Sequence, residues 1–327
     1  AILVRPDGRL TVFYSGHRGR WMFYRTSSRP EDVTEWGMRR AVAEHTSDLR
    51  GNTYPNPVRL SGEDDRWYVF WRGPGYAPTY AFTDDAMNWT EPAPFIDGEG
   101  ERPYFKVCSD GDSTIHFAFN QDHPDNDPSN NVYYLCYSDG AFRRADGTEV
   151  ASMNELPVWA SDADLVYDAG SEGARAWVWD IAIDHVGRPV IVYAAFPEEE
   201  DHRYRYARWD GHRWEDRELT YAGWWFPSTE PWSQRFEAYY SGGVALDHED
   251  PRVVYISRPT GGVFELERWY TPDGGETWQI EPVTTGSIVN NVRPVVPLGH
   301  VEGGPELVWM RGTYLDYMDY STSLMMK

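Results

Sequence analysis

Residue types that bind anions recur at matching places along this sequence. His17, Arg72, His123, Arg258 and Arg311 each close a short aromatic-rich segment. Tyr54 with Asn56, Arg102 with Tyr104, Trp177 with Trp179 and Asp180, Tyr239 with Tyr240, and Asn291 with Arg293 open the segments that precede such ends. Arginine presents a planar fork of donors that pairs well with carboxylate or sulfate. Tyrosine and tryptophan offer flat apolar faces on which sugar rings stack. Such a cluster in a chain of net charge −22 marks a site for an anionic ligand. Taken singly, each residue is explained equally well by an ion pair with a nearby carboxylate or by burial in an aromatic core.

The elements that must position these residues are short strands. Aromatic-rich runs occur at RLTVFYSGH (9–17), RWYVFWRG (66–73), TIHFAFNQDH (114–123), RPVIVYAAFP (188–197), RVVYISRP (252–259) and ELVWMRG (306–312). Turn residues precede most of them, and another short strand precedes most of those turns, which is the all-β pattern. Tyr54 to Arg72, Tyr240 to Arg258 and Arg293 to Arg311 are each 18 residues apart. The same count carries Tyr104 to Asp122, beside His123, and Trp179 to Pro197. Hairpin units of about 45–60 residues predict a β-propeller. Six units are recognisable and seven blades are expected, in a single domain over 1–327. Because neighbouring strands run antiparallel, strand starts and strand ends then meet at one mouth.

Thr271-Pro-Asp273-Gly-Gly275-Glu-Thr-Trp278 fits the Asp-box pattern S/T-x-D-x-G-x-x-W, with a degenerate copy at Thr83, Asp85 and Trp89. In such a turn the Asp gathers backbone amides and the Trp packs beneath. Counting 18 back from His17 falls before Ala1, so the first inner strand is expected to lack its start.

Composition narrows the classes. The chain has 16 Trp, 22 Tyr and 13 Phe beside 29 Gly and 23 Pro, too aromatic for disorder and too rich in breakers for long helices. No apolar run suits a transmembrane helix, and AILV (1–4) is too short for a signal-peptide core. With 30 basic against 52 acidic residues, nucleic acid is not the expected partner. All the basic residues except Lys106 and Lys327 are arginine, a bias that suits either a salt-tolerant surface or a biased genome. Cys108 and Cys136 lie on strands two positions apart in one hairpin unit, so two thiols without a disulfide are expected. His45, His116, His185, His202, His212 and His248 read as solvated, packed or turn residues. The acidic run 198–201 reads as a solvated loop, and its spacing does not support calcium binding.

VRPDGRLTVFYSGH (4–17), TYPNPVRL (53–60), IHFAFNQDHPDNDPSNNVYY (115–134) and AWVWDIAIDHVGRPVIVYAAFP (176–197) resemble the BNR-4 repeat family. That family includes propeller polysaccharide lyases acting on ulvan, a sulfated rhamnose–uronate polymer. The resemblance implies an extracellular or cell-surface enzyme whose partner is an anionic polysaccharide; a monomer is expected, and the proposed chemistry requires no cofactor, with a structural metal such as calcium left open. It also implies a His/Tyr site with an arginine that neutralises the uronate. Matched motif by motif, these are His17 of FYSGH, Tyr54 of YPNP, Arg72 of FWRG and His123 of DHP. The substrate-binding set would be Asn56, Tyr104, Trp177, Trp179, Tyr239, Tyr240, Arg258, Arg293 and Arg311. The family commonly carries an Asp-Asp-His-Asn segment opening the first inner strand; here it would precede Ala1.

β-Elimination at a uronate needs the carboxylate neutralised, a base for the C5 proton and an acid at O4. Tyr54 and His17 can fill either proton-transfer role while Arg72 holds the carboxylate. A sialidase shares Asp boxes and an arginine cluster, but its F/Y-R-I-P motif is missing. A rhamnosidase-like hydrolase and a sugar-binding propeller without turnover remain open.

Overall fold

The computed structural model describes residues 1–45, 51–98, 101–198, 200–223, 242–315 and 319–327. The architecture is all-β, built mainly from antiparallel meanders in which each strand pairs with the next in sequence, with one parallel pair of Ile96–Asp97 and Val158–Trp159. The first sheet comprises Ile2–Val4, Leu10–Tyr14, Trp21–Thr26 and Arg40–Glu44. The second comprises Thr53–Leu60, Arg66–Arg72, Pro78–Thr83 and Ala93–Pro94. The third runs Tyr104–Ser109, Thr114–Asn120, Val132–Ser138, Ala141–Arg143 and Glu149–Ser152, with Asp164–Tyr167 pairing to Val132–Ser138. The fourth is Arg175–Ile183, Pro189–Glu198, Asp201–Trp209 and Trp214–Gly223. The fifth is Val244–Leu246, Val253–Thr260, Val263–Tyr270 and Gln279–Pro282, and the sixth is Asn290–Val295, Val308–Tyr314 and Tyr320–Met326. Among the described residues no helix is long and apolar enough to cross a membrane.

The chain divides into two compact units, 1–117 with 135–164, and 118–134 with 165–327. In the second to fifth sheets the second strand carries the most buried residues. Arg66–Arg72 is buried at every position but the first, and Pro189–Phe196 is buried throughout. A strand buried on both faces loses the polar alternation of a one-sided strand, which is why these segments read as near-continuous apolar runs. In the first unit Phe13, Met22, Tyr24, Trp67, Val69 and Trp71 form one core. In the second, Val190, Val192, Tyr204, Tyr206, Leu246 and Val254 form another.

Both Asp boxes form. Thr271 Oγ1 donates to Asp273 Oδ1 (2.9 Å), which also accepts from the Thr277 amide (2.9 Å). Hydrogen bonds from the Thr277 hydroxyl and amide hold the Asp273 carboxyl down at about 2. Trp278 lies edge-on to Tyr206, with ring centroids 5.3 Å apart. In the degenerate copy, Asp85 Oδ1 accepts from the amides of Met87 (2.8 Å) and Asn88 (2.7 Å), and Trp89 packs edge-on to Phe13 at 6.0 Å. Neither Cys108 nor Cys136 is in a disulfide. They sit on the first and third strands of the third sheet, as the sequence predicts.

The 18-residue count needs correction. Arg72 pairs with Thr53, and Arg311 with Asn291, because a bulge interrupts each inner strand just beyond. Tyr54 and Arg293 occupy those bulges with left-handed backbone, φ 56° and 57°. Trp179 is likewise a bulge residue, set between the Val178–Tyr193 and Asp180–Val192 pairs rather than opposite Pro197.

Two buried asparagines recur at the starts of the first strands of the second and sixth sheets. Trp71 Nε1 donates to Asn52 Oδ1 (2.7 Å), and Trp309 Nε1 donates to Asn291 Oδ1 (3.1 Å). Each asparagine stands two residues before its left-handed residue and the proline that follows, N-x-Y-P and N-x-R-P. Replacing Asn52 by Ala leaves the buried indole N–H without its acceptor, a loss of about 1–3 kcal/mol. Denaturant unfolding of Asn52→Ala is expected to show a lower midpoint at unchanged slope.

Candidate active site

The site in the first unit is assembled around Asn52. Its amide donates to Gly19 O (2.7 Å), its carbonyl accepts from the Gly19 amide (3.0 Å), and its Nδ2 donates to Arg20 O (3.1 Å). Ser15 Oγ also donates to Asn52 O (3.0 Å). The Gly16–Gly19 turn that carries His17 is thereby pinned to the strand start that carries Tyr54. The approach is close enough to require glycine: a Cβ on Gly51 would lie 2.3 Å from Gly19 O, and one on Gly19 would lie 2.8 Å from Gly16 O. Trp71 is held inward by the same asparagine, and Arg72 follows it in the chain.

Arg72 is 4% exposed, yet none of the described carboxylates pairs with it. Aromatic rings and an imidazole surround it instead. Nη1 donates to Tyr104 Oη (3.0 Å), and Nη2 lies 3.2 Å from His17 Nε2. The guanidinium carbon lies 4.7 Å from the Tyr54 ring centre, 5.1 Å from that of Tyr76 and 5.3 Å from that of Tyr104. Its Nε–H has no hydrogen-bond partner among the described residues. Ring faces stabilise a cation without neutralising it, so the positive charge is not cancelled by a carboxylate among the described residues. Arg102 lies 5.1 Å and Arg18 6.0 Å from the Tyr76 ring centre, so three guanidiniums flank one phenol.

Because arginine only donates, the His17 Nε2 facing Arg72 acts as the acceptor and the imidazole is neutral. Partial burial, then the charges of Arg72 and Arg18, push the His17 pKa below its ordinary 6.5. Burial pushes the Tyr104 phenol up, only partly offset by Arg72. Tyr54 is half exposed, and its ring centre is 5.9 Å from that of His17. Arg18, Tyr54 and Tyr76 all carry positive φ, at 59°, 56° and 69°. Left-handed non-glycine residues cost about 1–3 kcal/mol each and gather where function holds them in place.

His17, Tyr54, Arg72 and Tyr104 thus come together in the first unit. Tyr76 and Arg18 join them without having been singled out. Asn56 is in the same strand, but its Nδ2 donates to Tyr54 O (2.9 Å) and so braces the bulge. His123 belongs to the second unit. There its ring packs edge-on to Trp177 at 4.3 Å, and its Nδ1 accepts from the Asp125 amide (3.2 Å). In that unit Arg293 Nη2 donates to Tyr314 Oη (2.6 Å) over the face of the same ring, and Arg311 is exposed.

Other expectations are corrected. Arg258 makes a two-pronged ion pair with Glu267 (2.8 and 2.7 Å), so its fork is occupied within the fold. Asp180 accepts from the Leu246 amide (3.0 Å) and lies 3.1 Å from His248 Nε2, a structural clasp rather than a rim group. Burial lowers the pKa of His248, but the charge and hydrogen bond of Asp180, with Asp247 and Glu249, together raise it, so His248 is no ordinary turn residue. His116 is packed as expected, with burial lowering it to about 4. Tyr239 and Tyr240 lie outside the described residues. Among the described residues no group of three or more His, Cys, Asp and Glu side chains is arranged to hold a metal.

A family described as "BNR repeat-containing family member" matches residues 1–222. The chain belongs to the BNR-4 repeat family. Curated protein sequences show no match to this BNR-4 chain. Among solved structures it is similar to a PL25 ulvan lyase bound to -[GlcA(1-4)Rha3S]-, at 15% identity and TM-score 0.72, covering 99% of this chain and 77% of that one. It is also similar to the polysaccharide lyase Uly1, at 15% identity and TM-score 0.58, covering 100% and 76%. The microbial sialidase Hz136 matches at 9% identity and TM-score 0.50, over 91% of this chain and 62% of that one. At these identities the likeness is one of fold.

The electrostatic account of His17 is testable without substrate. Its imidazole is expected to titrate below pH 6.5 by NMR, and to move upward in Arg72→Met. An unchanged titration in that variant would show that Arg72 does not act on it.

Proposed function

We propose that this BNR-4 protein is a polysaccharide lyase that cleaves a uronate-containing anionic polysaccharide by β-elimination. The observation that carries the reading is Arg72: a buried guanidinium, held by tyrosine rings, beside a neutral histidine and an exposed tyrosine. A uronate carboxylate docking on Arg72 would lose its negative charge, which makes the neighbouring C5 proton acidic. One of His17 and Tyr54 then accepts that proton, and the other protonates the glycosidic oxygen leaving from C4. The C4–O bond breaks as the C4–C5 double bond forms, and no water is consumed. Arg72 lies against the Tyr54 ring, so negative charge developing on the phenolic oxygen has a cation beside it. The ulvan lyase likeness favours a sulfated rhamnose–uronate polymer as substrate. The seven-bladed propeller, a role for His123 and sugar contacts from Trp177, Arg293 and Arg311 belong to the same proposal.

Incubation with ulvan is expected to release products bearing an ultraviolet-absorbing unsaturated uronate. New reducing ends without that absorbance would mean a hydrolase, and binding without either a sugar-binding protein. Tyr54→Phe removes a proton-transfer group but little shape. It is expected to lower kcat by about 10²–10⁴-fold while leaving substrate binding near wild type. If His17 is the base, the acidic limb of kcat/KM lies below pH 6.5, because its lowered pKa keeps the imidazole neutral until then.

A further inference from the structure

A second cationic cleft lies in the first unit, lined by none of the residues around Arg72. Arg5 and Arg9 flank the tight turn between the first two strands, where the Arg5 amide donates to Arg9 O (2.8 Å). Arg40 opens the outermost strand of the same sheet. Together with Ser28, Met38 and Met87 they line a cavity of about 490 Å³. That volume falls within the range of small-ligand sites.

The charge balance of the lining favours an anion. Asp7, beside the cleft, forms ion pairs with Arg5 Nε (3.4 Å) and Arg9 Nε (3.6 Å). All three groups are partly exposed, at 29% for Arg5, 47% for Arg9 and 45% for Asp7, so solvent weakens the pairing. Arg40 has no carboxylate partner among the described residues. The lining therefore carries three guanidiniums and no carboxylate, with Asp7 shared between two of them, in a protein of net charge −22. The apolar lining is also exposed, Met38 at 84% and Met87 at 55%. Guanidiniums beside accessible thioethers match a sugar ring carrying an acidic substituent, the ring lying on the methionines and the acid between the arginines.

We propose that this cleft is an accessory binding site for an acidic sugar unit of a polysaccharide chain, separate from the catalytic cluster. It rests on the reading of this protein as polysaccharide-active, and it adds a second anchor for the polymer. The site would hold long chains near the active site without contributing to proton transfer. Arg9 and Arg40 are the residues to change, since both side chains are exposed and neither is in the apolar core.

The test compares wild type with Arg9→Ala/Arg40→Glu in binding titrations. The probes are a sulfated glycan lacking uronate, a uronate oligosaccharide lacking sulfate, and neutral dextran. Binding of at least one acidic probe is expected to weaken about tenfold, the loss of a charge-assisted contact or two, with dextran unbound throughout. The two acidic probes show whether sulfate or carboxylate is the group recognised. Turnover of a uronate oligosaccharide too short to span both sites is expected to stay at the wild-type rate. Unchanged affinity for both acidic probes overturns the accessory site, as does an equal loss of short-substrate turnover. If thermal melting shows the double variant to be unstable, Arg40→Gln is measured in its place against the same outcomes. A protein that eliminates no uronate polymer, yet loses acidic-glycan binding in the double variant, would refute the lyase reading and keep the cleft.

Discussion

One buried side chain sets the geometry on which the candidate site depends. Asn52 offers both its amide group and its backbone to four neighbours at once: the Gly16–Gly19 turn, Arg20, Ser15 and Trp71. Unpaired buried amides are costly, so these bonds fix one arrangement rather than several. The consequence is that His17, Tyr54 and Arg72, from three separate chain segments, share a single frame. Asn291 repeats the device with Trp309 in the second unit, again two residues before a left-handed residue and a proline. Two sheets thus reuse one polar staple to start their first strands, while the residue placed at the bulge differs, a tyrosine in one case and an arginine in the other.

The electrostatics follow from that frame. Arg72 is withdrawn from water but meets ring faces and an imidazole nitrogen instead of a carboxylate, so its charge is stabilised and left uncancelled. Arg258 shows the contrasting outcome within the same protein, since Glu267 occupies its fork. The uncancelled cation of Arg72 beside a histidine held neutral is the feature on which the proposed elimination rests.

Much of this was legible in the sequence. Strand starts and ends separated by a fixed count identified Tyr54 and Arg72 as neighbours, and the motifs TPDGGETW and TDDAMNW announced their turns. The bulges were not legible, because a residue in left-handed backbone before proline leaves no periodic trace, and the register moved accordingly. Tyr76 was missed because it comes from the Pro74–Tyr76 turn after Arg72 rather than from a strand end. Arg258 and Asp180 were misjudged for a different reason. Position at a strand end says where a charge stands, whereas its availability depends on the adjacent strand or sheet, here through Glu267 and His248.

The central claim is that Arg72 recognises a carboxylate of the substrate. The most direct measurement compares binding of a uronate polymer with binding of the same polymer after its carboxyl groups have been reduced to alcohols, in wild type and in Arg72→Met. The account predicts that wild type prefers the native polymer and that the substitution removes the preference. Equal binding of both polymers by wild type, or a preference that survives in Arg72→Met, would contradict it.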